Sequence, residues 1–156
     1  MSAWIFGSFS PEIYEIFTRI AFRGTEIFSN LFIPYNFDSE ANTLLFYKLS
    51  GTGEKVYITK MKVVQSCSGI KQIFQLLVII AFAIGVWWKK IIYIISSIPI
   101  ILFFNIIRIS LLTVVLIYWE PQYKFIHDNI GRPFHYIIIF LIWAIWVFGI
   151  NNKRKA

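Results

Sequence analysis

The sequence predicts an integral membrane protein that is all-α in its membrane part, with about four transmembrane helices and a small outer β-hairpin before a cysteine-bearing helix. Three observations carry this expectation. Of 156 residues, 58% are hydrophobic and 15% charged, with a mean hydropathy of +0.67. A water-soluble domain carries about 25% charged residues, so a chain this short has too little polar surface to cover a core in water. Long apolar runs occupy most of the second half. The fifteen Lys and Arg sit in short clusters beside those runs, not along one stripe. The net charge of +7 therefore reads as bilayer anchoring, and no nucleic-acid partner is expected. An ordinary cytosolic enzyme, a disordered chain and a disulfide scaffold are excluded. The lone Cys67 has no partner for an internal disulfide. Residues 1–156 read as one membrane domain without a repeat, and the start lacks the basic region of a cleaved signal peptide.

Residues 11–33 are charged at Glu12, Glu15, Arg19, Arg23 and Glu26, spacings that fall on one narrow helical stripe. Ile13, Ile16, Phe17, Ile20, Phe22, Ile27 and Phe28 cover the rest. Such a helix lies on the membrane or spans it with its charges turned toward protein. The wide apolar face favours spanning. Residues 34–43 are a polar link carrying Pro34, Asn36, Asp38, Ser39 and Asn42. Leu44-Leu45-Phe46-Tyr47-Lys48 and residues 55–64 then read as two strands around Ser50-Gly51-Thr52-Gly53. Residues 69–88 make an apolar helix of spanning length that ends at Lys89-Lys90. Residues 91–119 form a longer one, about 43 Å at 1.5 Å per residue, with a kink expected near Pro99. A polar loop follows from Glu120 to Gly131, and Pro133 suits the first turn of a last helix to Ile150. Residues 151–155 are a basic tail.

Chemistry-bearing residues stand out because they are scarce. Gln65-Ser66-Cys67-Ser68-Gly69 joins the second strand to the second helix, so the thiol lies near a helix N-terminus, where the dipole favours a thiolate. A lone cysteine is also commonly a small buried residue. Arg108 lies within an apolar run, where insertion costs about 2.5–3.5 kcal/mol. It is either functional or paired with Glu12, Glu15 or Glu26. Asn105, three residues earlier, shares its face. His127 sits in the loop after that run, with Asp128 beside it, and His135 begins the last helix. Taking Lys89-Lys90 as one membrane face, Cys67 lies about 33 Å back along the chain and Arg108 about 27 Å forward. Both reach the opposite face, where the His127 loop also lies. No metal constellation, phosphate loop or cofactor motif is present.

At these positions the chain resembles the exosortase/archaeosortase family. The matching elements are Cys67-Ser68-Gly69 after a strand, Asn105 with Arg108 inside the next apolar run, and His127 with Gly131 before a last helix. Order and spacing agree over residues 44–150. The resemblance implies a membrane cysteine protease or transpeptidase acting on membrane-anchored proteins through their C-terminal sorting signals. In that reading Cys67 is the nucleophile, Arg108 stabilises the transition state and His127 is the general acid and base. Counting Lys and Arg does not choose an orientation. The resemblance does: the active site and the hairpin face outward from a plasma (inner) membrane. The chain is shorter than the larger members, and Pro133 and His135 supply a second histidine. A non-catalytic membrane subunit or a small transporter with a structural Arg108 are the competing readings.

Overall fold

The computed structural model describes residues 11–51, 53–64 and 67–150; Gln65, Ser66 and the basic tail lie outside them. Helix α1 spans Pro11–Phe32, as its periodicity predicts. The face that it buries is not the charged one. Thr18, Ala21, Phe22, Thr25 and Ser29 pack inward, and a Cβ at Gly24 would collide with the Ile106 side chain. Small residues let two helix backbones approach closely, and the Thr18 and Thr25 hydroxyls donate to the carbonyls of Tyr14 and Ala21 within their own helix. The expectation that the charged stripe faces protein is therefore corrected. Arg19 pairs with Glu15 at 2.6 Å and Arg23 with Glu26 at 3.2 Å along the helix, leaving both arginines outward.

The expected hairpin is two strands of a three-stranded antiparallel sheet: β1 Asn36–Glu40, β2 Thr43–Leu49 and β3 Lys55–Lys62, in that order. The polar link thus contains a strand. Ala41 and Asn42, both with positive φ, turn β1 into β2 with Glu40 opposite Thr43, the twist that a two-residue hairpin turn needs. Leu44 and Phe46 alternate inward from β2 and join Met61, Val63, Phe22, Ile33 and Ile109 in one core. The sheet is thereby fastened over one end of the helices.

The expected helix over 69–88 is two pieces. Helix α2 covers Ile70–Phe82, and α3 already begins at Trp87 and runs to Tyr118. Ala83 is extended and Gly85 has φ 152, so the chain turns inside an apolar run. Lys90 does not end α2. It lies in α3 and turns back, its Nζ donating to the Ala81 carbonyl at 2.8 Å, one of the carbonyls left open at a helix end. At the other end Asn105 Nδ2 donates to the Cys67 carbonyl at 2.7 Å. Fourteen residues separate Cys67 from Ala81 and fifteen separate Lys90 from Asn105. These two rungs tie α2 antiparallel to α3 in register, so Cys67 and Asn105 come level over a shorter distance than the uninterrupted helix implied.

Helix α3 continues through Pro99 and is the central element, about 48 Å long. The expected loop over 120–131 is mostly helical: a 3₁₀ turn at Glu120–Gln122, a short α4 at Tyr123–Ile126 and a π-helical turn at His127–Gly131. Helix α5, Arg132–Ala144, continues as a second π-helical stretch, Ile145–Ile150. Leu76, Ile80, Ile101, Ile139, Ile142 and Trp146 form the core shared by α2, α3 and α5. By length and composition, Trp87–Tyr118 and Glu120–Gly149 are able to cross a membrane. Helix α2, at 13 residues, is about 20 Å long against a hydrocarbon core of about 30 Å.

Candidate active site

The Cys67 N–H is bonded to the Val64 carbonyl at 2.8 Å. Ser68 is buried behind it, and Gly69 takes φ 84 as the N-cap of α2. A Cβ there would be strained by that φ and would press on Asn105 Nδ2 at 3.3 Å. The glycine thus lets Asn105 come close enough to hold the cysteine carbonyl. The thiol is half-buried at the head of α2.

Arg108, one turn beyond Asn105 on the same face of α3, is 93% buried (7% exposed). Its Nη2 lies 3.4 Å from His127 Nε2. On the other side of that ring, Nδ1 lies 2.9 Å from Asp128 Oδ1. The tautomer with its proton on Nδ1 satisfies both contacts, since Nδ1–H donates to Asp128 and the Nε2 lone pair accepts from Arg108. Arg132 Nη2 approaches the same Asp128 oxygen at 3.3 Å. Asp128 precedes the apolar stretch of α5. Tyr123 stacks on the imidazole, ring centroids 5.8 Å apart.

Gly131 closes the arrangement. It is buried, and a Cβ on it would lie 3.4 Å from Arg108 Nε. The wide π-helical turn between His127 and Gly131 presents the imidazole and lets the guanidinium pass beneath; such turns recur at functional sites. Among the described residues no carboxylate forms an ion pair with Arg108. Of the three glutamates that the sequence offered, Glu15 and Glu26 are taken by Arg19 and Arg23. Among the described residues Arg108 Nε has no hydrogen-bond partner.

One cavity of about 290 Å³ takes Cys67, Arg108, His127 and His135 into its wall. The three residues singled out from the sequence therefore share one cavity. His135 is also there, one turn into α5 and 3% exposed. Gln72, Gln75, Arg132 and Tyr136 complete much of the wall and were not foreseen. Gln72 and Gln75 were legible in principle: with Lys71 they are the polar residues of a mostly apolar helix, all within its first two turns. A thiol, a guanidinium and an imidazole around one cavity can form a covalent acyl intermediate, neutralise an oxyanion and transfer a proton.

Comparison with known proteins returns one family. Its model, described as transmembrane exosortase, matches residues 39–146, from β1 through α5. No curated protein and no solved structure matches the chain.

Proposed function

We propose, for a chain that belongs to the transmembrane exosortase family, that the cavity under the sheet is a cysteine peptidase or transpeptidase site for C-terminal sorting signals. The observation that carries the reading is the shared cavity of Cys67, Arg108 and His127, with guanidinium and imidazole 3.4 Å apart. The Cys67 thiol gives its proton to His127 Nε2, and the resulting thiolate attacks the carbonyl carbon of the scissile peptide bond as the carbonyl electrons move onto oxygen. Arg108 lies against the charge that develops there. The tetrahedral intermediate collapses to a thioester as His127 protonates the departing amine nitrogen. Water or an acceptor nucleophile, deprotonated by the same imidazole, then releases the acyl group from sulfur. Asp128 acts through His127 by holding Nδ1.

In the same reading the protein is multi-pass in the plasma (inner) membrane, with α2 lying in the bilayer beside the two long helices. The cavity and sheet face outward. The opposite end carries exposed Trp87 and Trp88 beside Lys89, a pattern that settles at a headgroup boundary. Substrate and enzyme meet within one bilayer, which fixes the depth of the cleaved bond and reduces the search.

The test of the electrostatic role is Arg108→Lys. A lysine keeps the charge but not the planar fork that serves both the imidazole and an oxyanion. Turnover should fall roughly 10²–10³-fold, the scale for losing one such donor, at unchanged protein level in the membrane. Full processing by Arg108→Gln would reject the role. Asp128→Asn should be milder, about tenfold in turnover, because positioning is only part of the acid–base contribution. Asp128→Glu, which keeps a carboxylate for Nδ1, should recover part of that loss, and equal loss in both variants would make Asp128 merely structural.

A further inference from the structure

Beneath the reactive cavity, the seam between α2 and α5 carries two further hollows, both apolar. The upper, about 600 Å³, is lined by Phe74, Val78, Phe140 and their neighbours, and shares Gln75 and Tyr136 with the reactive cavity. The lower, about 400 Å³, reaches Ile84 and Val147 and shares Ile79 and Trp143 with the upper. The three therefore join into one furrow, with its polar groups at the Cys67 end. From Tyr136 to Val147 it follows α5 for about 17 Å. Its lower part exists because α2 stops after 13 residues, leaving Phe82 88% and Ile84 84% exposed beside the lower half of α5.

We propose that this furrow is the berth for the membrane helix of the protein substrate, an inference that rests on the peptidase reading of the cavity. The acyl donor must place a peptide bond beside Cys67 and, being membrane-anchored, continue as an apolar helix from that point. The furrow leads out of the cavity in that direction through Gln75 and Tyr136. Its depth below the thiol supplies the third helix that the short α2 leaves room for. Side chains on one face of an apolar helix fill two hollows arranged in line, as ridges fill grooves between packed helices. The outer face of α1 is unsuited to the same task, because Arg19 and Arg23 stand on it.

The experiment places the photoreactive amino acid benzoylphenylalanine singly at Val78, Phe140 or Val147 of the full chain carrying Cys67→Ala. Controls are at Ile92 and Phe103, exposed on α3 away from the furrow. Membranes of cells making these chains and a panel of exported proteins with C-terminal apolar helices are irradiated, and the adducts are mapped by mass spectrometry. A helix held in the furrow is at high local concentration there, so adduct yield should exceed the controls about tenfold. The crosslinked positions on the partner helix should also move away from its outer end as the probe moves from Val78 to Val147. Lipid adducts alone, no protein adduct, or equal yield at Ile92 and Phe103 would overturn the berth. Cleavage by the chain with native Cys67 is scored on the same panel. Furrow adducts without cleavage would remove the peptidase reading and leave the berth, and cleavage without furrow adducts would do the reverse.

Discussion

Cys67→Ala should abolish processing of a membrane-anchored substrate while the protein accumulates in the membrane at its normal level. The chain at this point is held by main-chain contacts: the Cys67 N–H to Val64, and the Cys67 carbonyl to Asn105. Neither uses the sulfur, and the side chain is only half-buried, so its loss removes little packing. Cys67→Ser should be nearly as inactive. A hydroxyl is far less ionised than a thiol near neutral pH, and the imidazole is engaged with Arg108 and Asp128 before substrate arrives. The native thiol should react with a small alkylating reagent near neutral pH, and a structural thiol should not. Processing of a sorting-signal protein by Cys67→Ala, in cells without a related enzyme, would end the peptidase reading.

The candidate residues were legible because each is costly or rare where it stands. Arg108 has no cheap reason to lie in an apolar run, and Gly69 and Gly131 mark places where backbone and side chain come close. The fold was legible where periodicity was strong, as in α1, β2 and β3. It was hidden where composition runs on unchanged across a turn. Ala83, Ile84, Gly85 and Val86 are all apolar or small, so hydropathy reads through a break that the backbone makes at Gly85. Asn36-Phe37-Asp38-Ser39-Glu40 lacks β-branched residues and pairs only because β2 offers its edge. In α1 the breadth of the apolar face suggested inward charges, but the small residues at Thr18, Ala21, Gly24 and Thr25 decide which side packs on α3. The Asp128 contact was not legible, because adjacent residues face each other only when the backbone turns them together, as the π-helical turn does here.

His127→Ala should remove turnover and His135→Ala should retain a substantial part of it. Both rings reach the cavity, so presence in the wall does not separate them, but their surroundings do. His127 has a carboxylate on Nδ1 and a guanidinium at Nε2, and its side chain is 25% exposed. That arrangement fixes the tautomer, aims the lone pair at the cavity and leaves a path for protons to water. When the ring takes up a proton, Asp128 stabilises the imidazolium. His135 is 3% exposed, eight residues or about 12 Å further along the chain, and among the described residues no carboxylate pairs with it. Burial in an apolar helix gives His135 no such path for taking up or releasing a proton. The measurement is the pH dependence of turnover for each variant at matched membrane levels. The imidazole-dependent limb should vanish with His127→Ala and persist with His135→Ala. A well-expressed, inactive His135→Ala beside an active His127→Ala would transfer the acid–base role to the deeper ring. Arg108 and Asp128 would then serve only to hold the loop that carries His127.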